Sequence, residues 1–464
     1  MPTLLRPSPP APPGEDPRQV RAWVLYDWAN SGFVTVVVTA LAGPYITGIA
    51  QAAVGETGTA LAVGPLAVPA TAFFAYCASA SVVLQVLLLP LLGGLADRAG
   101  VTRLLLGTTC GVGSGTTLLF LATGTGEHLL AGALFVVANV AYGASIVFYN
   151  AYLGLLVAPA RRDLVSSRGF AWGYAGGGLL LAGVLVLVTF AEPLGLTRGQ
   201  AVQVGLATAG LWWGTFGLVA VARLRPRTRG QETGRVSIAV GATALRAAVR
   251  DLRRLPVTLR FLVASLLYND AIQAVIGLST VFLTQELWVR QGRPAEDATP
   301  FLLTLVLLIQ FAAIGGAVLF ERVARVVGTK RAIATTLVLW TFVIGYAYAL
   351  LETETQALGL GVAIALVLGG SQALSRSLFS RLVPVGREAS FFGLYEVTQR
   401  GTAWIGPAVF GTVVALTDSY RQALLSLVLL LVAGLVLLLR TDTDRGEREV
   451  AAYRPDEDDR SVPV

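Results

Sequence analysis

The sequence predicts an all-α integral membrane protein with twelve transmembrane helices in two six-helix lobes. The 464-residue chain is 55% hydrophobic and only 14% charged, and its mean hydropathy is +0.68, which is typical of a membrane protein rather than a soluble enzyme. Its apolar runs are about 20 residues long, the length that a helix needs to cross a ~30 Å hydrocarbon core. Six such runs stand on each side of Arg223–Arg260, a segment with ten arginines and only two acidic residues.

These runs divide the chain into five parts. We predict a disordered tail over 1–21, a first lobe over 22–222, a basic linker over 223–260, a second lobe over 261–440 and a disordered tail over 441–464. The first tail is rich in proline and the last mixes acidic and basic residues, and both lack the apolar residues of a packed core. Within the linker, 237–255 is predicted to form an amphipathic helix on the inner leaflet. Its basic face would contact anionic lipid headgroups through Arg246, Arg250, Arg253 and Arg254.

The basic residues are distributed unequally between the predicted loops. If the loops alternate sides, 29 of the 35 basic residues lie on one side, four lie on the other and two fall within helices. Because basic residues accumulate on the cytoplasmic side, both termini and the linker are expected in the cytoplasm of a cell whose inner membrane the chain spans. The net charge of +7 then reflects topology, and we expect no nucleic-acid binding.

The loop after the second apolar run carries a specific pattern. It reads Gly93-Gly-Leu-Ala-Asp97-Arg98-Ala-Gly100-Val-Thr-Arg103. Glycines allow a tight turn and a close approach of helices, and Asp97 can cap a helix N-terminus or pair with an arginine. The pattern resembles a loop signature of the major facilitator superfamily, which implies that Gly93, Asp97, Arg98 and Gly100 help to hold the cytoplasmic side closed. It departs from the signature in having Val-Thr before Arg103 where a basic pair is usual.

The two halves of the chain resemble each other. Three glycines of the fifth run recur at a constant offset in the eleventh, namely Gly173, Gly178 and Gly183 as Gly401, Gly406 and Gly411. The stretch Tyr26-Asp-Trp-Ala is echoed by Tyr268-Asn-Asp-Ala. Parallel repeats of this kind fit the major facilitator architecture, in which substrate is held between the lobes near the membrane midplane. We interpret the glycines as positions of close helix packing.

Several stretches together resemble one branch of that superfamily, the vacuole-effluxer family of autophagy-related amino-acid exporters and their bacterial relatives. The stretches that carry the resemblance are Tyr26-Asp-Trp-Ala-Asn-Ser, Tyr268-Asn-Asp, Gly369-Gly-Ser-Gln-Ala-Leu-Ser-Arg-Ser and Phe391-Phe-Gly-Leu-Tyr. The resemblance covers nearly all of the chain outside the tails. It implies the two-lobed fold, a bacterial member of the branch, and amino acids as cargo.

Polar side chains inside the apolar runs are the candidates for substrate and coupling contacts, because such groups are costly in hydrocarbon. They are Asp27, Asn30, Asn139, Tyr142, Asn150, Tyr268, Asn269, Asp270, Gln273 and Gln372. Asp27 has two interpretations, a residue at the headgroup level or a functional carboxylate facing the lobe interface. Asp270 is the first candidate for a proton carrier because it lies deep in its run among hydrogen-bonding side chains. Its alternative role is that of a buried structural partner for Arg376 or Arg400.

Three further charges lie toward the cytoplasmic half of the second lobe. They are Arg376, Glu396 and Arg400, of which the last two stand one helical turn apart and can pair locally. We interpret them as a gate network with the signature loop. The alternative is that Arg376 faces the cavity and binds a carboxylate or phosphate ligand.

These observations predict a secondary transporter rather than an enzyme. The sequence has no nucleotide-binding loop, catalytic-triad spacing or metal-ligand cluster, so we expect no cofactor. The expected function is movement of a small polar solute, amino acids first, by alternating access in a monomer, with protons as the candidate coupling ion. Export of a sugar or drug, or a receptor or scaffold role without transport, are the alternatives. Polar residues in both lobes favour transport, because a scaffold has no use for costly charges in the membrane.

Overall fold

A computed structural model describes residues 15–55, 58–63, 66–225, 238–400 and 405–453. In that part of the chain, eleven helical spans are long and apolar enough to cross a membrane. The predicted eleventh crossing corresponds to two 13-residue helices on either side of 401–404, and Gly401 therefore lies outside the described residues. The all-α fold class is confirmed.

The first lobe contains six crossings. The first crossing is a continuous helix in three parts, α1 (Pro17–Gly32), a π-helical stretch (Phe33–Leu41) and α2 (Ala42–Val54). The other five are α3 (Phe73–Ala99), α4 (Thr102–Leu118), α5 (His128–Leu156), α6 (Arg162–Thr189) and α7 (Arg198–Arg223).

The linker and the second lobe continue the same pattern. The linker helix is α8 (Ile238–Arg254), close to the predicted amphipathic helix. The second lobe contains α9 (Pro256–Leu287), α10 (Thr299–Val327), α11 (Thr329–Leu350), α12 (Glu354–Arg381), α13 (Glu388–Arg400), α14 (Ile405–Thr417), α15 (Tyr420–Ser426) and α16 (Val428–Leu439). A last helix, α17 (Thr443–Ala452), follows it.

Helical structure extends into both predicted tails, which corrects their boundaries. Helix α1 begins at Pro17, because the Asp16 side chain caps its first turn by accepting a hydrogen bond from the Arg18 amide. Helix α17 lies within the predicted C-terminal tail, with Asp442 as its N-cap and Gly446 buried against the second lobe. Residues 1–14 and 454–464 lie outside the described part of the chain. The second lobe likewise begins earlier than predicted, at Pro256.

A short β-hairpin joins the first two crossings and was not predicted. Its strands, β1 (Thr59–Val63) and β2 (Leu66–Pro69), pair antiparallel. The His128 Nε2 atom lies 3.0 Å from the Ala60 carbonyl oxygen, so this histidine holds the hairpin against the start of α5.

The beginning of α1, the end of α7, helix α8 and helix α17 all lie at one end of the bundle, which we call the linker end. The Gln19 side chain donates to the Arg223 carbonyl oxygen, and Gly446 packs against Val257. The lobes meet where α3 packs against α13 and where α6 packs against α10 and α12. A Cβ atom on Gly393 would lie only 2.8 Å from the Leu89 carbonyl oxygen, so α13 approaches α3 as closely as backbones allow.

Candidate functional site

An ion pair between the lobes forms the centre of the candidate site. Arg376 of α12 donates from Nη2 to Asp27 Oδ2 of α1 at 3.2 Å, and the Tyr149 hydroxyl donates to the same oxygen at 2.6 Å. The Arg376 and Asp27 side chains are 5% and 9% exposed. Asp27 is therefore buried between the lobes rather than at the surface of the bundle, which is the location that the second of its two interpretations requires.

The Arg376 guanidinium is surrounded by first-lobe groups. Its Nε donates to Ser166 Oγ and its Nη2 to the Ser166 carbonyl oxygen, both at 2.9 Å. The guanidinium carbon lies 4.8 Å from the ring centre of Trp23, 5.4 Å from Tyr149 and 4.2 Å from Phe170. A planar guanidinium suits this arrangement because it can stack on aromatic faces while its edges donate hydrogen bonds.

A second ion pair adjoins the first. Arg400 Nε donates to Glu396 Oε2 at 3.0 Å within α13, so the predicted local pairing is present. The Asn150 amide joins the two pairs, since its oxygen lies 3.4 Å from Arg376 Nη1 and its nitrogen donates to Glu396 Oε1 at 3.2 Å. Arg400 also lies 5.2 Å from the ring centre of Tyr142.

We call this set of side chains the inter-lobe network. Its members are Asp27, Tyr142, Tyr149, Asn150 and Ser166 from the first lobe and Arg376, Glu396 and Arg400 from the second. It holds two carboxylates and two guanidinium groups, so it is neutral and each charge has a partner. Pairing of this kind allows charges to be buried, whereas a charge without its partner would carry a large desolvation penalty.

Glycines of α6 make room for the central ion pair. A Cβ on Gly169 would meet Asp27 Oδ2 and would lie 3.0 Å from Arg376 Nη2. Farther along α6, a Cβ on Gly176 would lie 2.6 Å from the Trp28 carbonyl oxygen. The glycine run of α6 thus forms a close contact with α1, as predicted, and also leaves space for the charges.

Asp270 lies apart from this network, in the interior of the second lobe. It is 2% exposed, and its Oδ2 accepts a hydrogen bond of 2.6 Å from the Gly406 amide near the start of α14. Its Oδ1 has no hydrogen-bond partner among the described residues. The alternative role, pairing with Arg376 or Arg400, is not the arrangement observed, because those arginines pair with Asp27 and Glu396.

The remaining predicted substrate residues are divided between three places. At the lobe interface, Gln372 accepts a hydrogen bond of 3.0 Å from the Tyr174 hydroxyl. Within the first lobe, Asn139 donates to Ser81 Oγ at 2.8 Å. Asn30 is also buried there, and its Nδ2 has no partner among the described residues.

Within the second lobe, the neighbours of Asp270 bond to other helices. The Tyr268 hydroxyl lies 2.7 Å from Ser375 Oγ, and Asn269 donates to the Gln399 carbonyl oxygen at 3.3 Å. Gln273 is partly exposed. The ten predicted residues therefore do not form one cluster.

At the linker end, the signature loop contacts the opposite lobe by capping one of its helices. Asp97 Oδ1 accepts from the Ala389 amide at 3.0 Å and its Oδ2 from the Ser390 amide at 2.7 Å, at the start of α13. Of the two roles predicted for Asp97, helix capping is the one observed. Gly100 adopts a left-handed conformation (φ 65°) that ends α3 and turns the chain into α4.

Other residues of the signature loop make contacts at the same end of the bundle. A Cβ on Gly93 would meet the Ala389 carbonyl oxygen, so Gly93 permits the close contact with α13. Arg98 donates to Thr243 Oγ1 of α8 at 3.1 Å. Arg103 donates to the Val221 carbonyl oxygen at the end of α7 at 3.0 Å.

Several contacts across the lobes were not predicted. Asp163 accepts from Arg381 Nη2 at 2.8 Å and from the Thr329 hydroxyl at 2.6 Å, and Gln310 donates to Thr35 Oγ1 of the π-helical stretch at 2.7 Å. Tyr149, which bonds to Asp27, was not among the residues predicted to contact substrate. Helical spacing could have found it, because Tyr142, Tyr149 and Asn150 recur at i, i+7 and i+8 on one face of α5.

Comparison with solved structures defines the fold. The human organic anion transporter MFSD10 superposes with a TM-score of 0.63 over 91% of this chain and 100% of its own, at 15% identity. The proton:xylose symporter XylE, a member of the major facilitator superfamily, superposes with a TM-score of 0.65 over 91% of this chain and 95% of its own, at 12% identity. At these identities the likeness shows the fold, and the fold is that of a major facilitator transporter.

Sequence comparison specifies the family. The family model described as "Vacuole effluxer Atg22 like" matches residues 15–451, and the chain belongs to that family. The uncharacterized MFS-type transporter YxiO of Bacillus subtilis (strain 168) is 28% identical over 93% of this chain and 97% of its own length. Autophagy-related protein 22-1 of Aspergillus niger is 26% identical over 82% of this chain and 74% of its own length. The chain is thus a multi-pass transporter and not an enzyme, as predicted.

Proposed function

We propose that this protein is a secondary active transporter that moves zwitterionic amino acids by alternating access, with proton coupling at Asp270. The observation that carries the proposal is the buried pairing of Asp27 and Arg376 across the two lobes. The family membership supports transport, and the network supports the class of solute.

The charges of the inter-lobe network match those of an amino acid. Arg376 offers a guanidinium for a carboxylate and Asp27 a carboxylate for an ammonium group, and the two side chains now satisfy each other at 3.2 Å. A zwitterion presents both charges, so it can take over both partners when the lobes move apart. A neutral sugar can hydrogen-bond to both side chains through its hydroxyl groups, but it carries no charge to replace either partner of the ion pair.

Asp270 has the surroundings of a proton carrier. Asp270 is buried, and its Oδ2 accepts a hydrogen bond from the Gly406 amide, a role that an oxygen of either the acid or the carboxylate can fill. With Oδ1 unpartnered in the described part of the chain, either form fits without disturbing an ion pair. A small movement of α14 relative to α9 would then change the balance between the two forms.

The orientation proposed is that of an inner-membrane monomer with both termini and the linker in the cytoplasm. The unequal distribution of arginines supports it. On α8, Arg246, Arg250, Arg253 and Arg254 are exposed, whereas Ala244 and Ala248 on the opposite face are buried. This amphipathic face fits contact with anionic headgroups.

A ligand screen on the purified full chain tests the function. Amino acids, sugars and organic acids would each be added while thermal unfolding is followed, because a ligand that binds the native state at 100 times its Kd stabilises it by about 2.7 kcal/mol. We expect stabilisation by one or more amino acids, and uptake of the same compound into proteoliposomes. Arg376→Gln should abolish the stabilisation. A shift with sugars alone would contradict the proposal, and so would a shift with amino acids that Arg376→Gln leaves unchanged.

A further inference from the structure

The linker helix α8 is attached to the first lobe. A Cβ on Gly94 of α3 would lie 3.0 Å from the Gly241 carbonyl oxygen of α8, and a Cβ on Gly241 would lie 2.7 Å from the Leu91 carbonyl oxygen. Only residues without a side chain allow two helices to cross this closely. The hydrogen bond from Arg98 to Thr243 adds a second attachment at the same crossing.

The same helix also contacts the second lobe, through a buried ion pair. Asp251 Oδ2 lies 3.5 Å from Arg387 Nε, and the two side chains are 2% and 8% exposed. Arg387 stands immediately before α13 and is followed by Ala389 and Ser390, whose amides bond to Asp97. The ion pair therefore lies beside the contact by which the signature loop closes the linker end.

We propose that Asp251 and Arg387 are gating residues, and that their ion pair holds the linker helix across the seam between the lobes in the state that is closed at the linker end. Because α8 is packed against α3, it moves with the first lobe when the lobes separate. Asp251 is then drawn away from Arg387, and the pair must break once in each transport cycle. This inference rests on the proposed alternating access but not on the identity of the cargo.

Neutralising one member of the pair has a definite consequence for the conformational equilibrium. In the closed state the remaining charge stays buried after losing this ion pair, which is unfavourable. In the open state the same group can reach water. Either single substitution should therefore favour opening of the linker end.

The test measures access to a single reporter thiol. Ser390 is 1% exposed and lies at the closed seam, so Ser390→Cys should react with a thiol reagent only when the linker end opens. The native Cys77 and Cys110 are both buried. The parent protein, which lacks the Ser390→Cys substitution, measures the background labelling. With full-length protein in detergent, Asp251→Asn and Arg387→Gln should each raise the labelling rate about tenfold, within the usual range of conformational coupling. Arg331→Gln, which removes an exposed arginine at the start of α11, should leave the rate unchanged.

A double variant tests whether the two residues act through their interaction with each other. Asp251→Asn with Arg387→Gln leaves neither charge buried, so its labelling rate should not exceed that of the faster single variant. Parent-like labelling in the folded single variants would overturn the inference, as would a double variant in which the two effects multiply. If a single variant does not fold, the double variant alone tests the inference. A labelling rate above that of the parent then supports the role of the pair, and a labelling rate equal to that of the parent refutes it. Labelling needs no solute, so a failure of the amino-acid proposal would be seen separately in the ligand screen.

Discussion

Arg376 is a charged residue whose burial depends on partners from the opposite lobe. Its hydrogen bonds go to Asp27, Ser166 and Asn150, all from the first lobe. Removing one partner of a buried pair typically costs about 3–5 kcal/mol, so the network strongly favours the lobe contact seen here. A transporter has to offset this preference at each cycle, and a solute that carries the complementary charges can do so.

At the same scale, Asp270 provides a test of coupling. Asp270→Asn keeps the shape of the side chain and can still accept a hydrogen bond from the Gly406 amide, but it cannot ionise. We expect the variant to fold and to exchange solute, but no longer to accumulate it against a gradient. The measurement is uptake into proteoliposomes of the amino acid found in the ligand screen, with and without an imposed pH difference.

Asn139→Ala is the matched control for Asp270, because Asn139 is a buried polar residue that bonds only within its own lobe in the described structure. It should leave the ratio of pH-driven to passive uptake unchanged. Full pH-driven accumulation by Asp270→Asn would rule out the proton-carrier role.

At the scale of elements, the contact between α1 and α6 depends on glycine. Gly169→Ala would place a methyl group against Asp27 and Arg376, and overpacking of this kind usually costs about 1–3 kcal/mol. We expect a lower melting temperature and slower transport. Gly183→Ala in the same helix is the control, since a Cβ there meets nothing within 4 Å. Equal behaviour of the two variants would show that the glycine contact is not needed for the ion pair.

The cap that α3 provides for α13 gives a second prediction at this scale. Asp97→Asn removes a negative charge from a helix N-terminus and places an amide NH₂ near two amides that need acceptors. Loss of such an interaction costs about 0.5–2 kcal/mol, so the linker end should open more readily and transport should slow. Solute binding should change little, because Asp97 does not belong to the inter-lobe network.

Asp442→Asn is the matched control for Asp97, since Asp442 caps α17 by accepting from the Arg445 amide. The same chemical change there should not alter transport. The gate role would be wrong for Asp97 if its variant transported at the parent rate.

At the scale of the whole molecule, the unequal distribution of basic residues predicts which side of the membrane each loop faces. If both termini and the linker are cytoplasmic, a cysteine at Ser237, which lies outside the described residues, should not react with an impermeant reagent in intact cells. Thr125→Cys, exposed in the turn between α4 and α5, should react under the same conditions. Labelling at 237 together with protection at 125 would reverse the proposed orientation.

Composition, run length and the two glycine series are local properties, and they were enough to predict an all-α two-lobed fold. The family was indicated by the resemblance of short motifs, among them Gly369–Ser377 and Phe391–Tyr395. Asp27, Arg376, Glu396 and Arg400 could be selected from sequence as well, since charges in apolar helices are rare and costly. The sequence alone could not show which of these charged residues pair with each other. Asp27 and Arg376 are 349 positions apart, and their pairing depends on how α1 and α12 face each other across the seam.

Only the tertiary structure decided the parts of the site that come from packing. The capping of α13 by Asp97 and the ion pair between Asp251 and Arg387 both join segments that are distant in sequence. Local patterns report which residues prefer burial or a helix end, whereas a specific partner is determined by the relative positions of whole helices. For that reason the sequence determined the architecture and the candidate charges of this transporter, and the packing of the two lobes determined the network that they form.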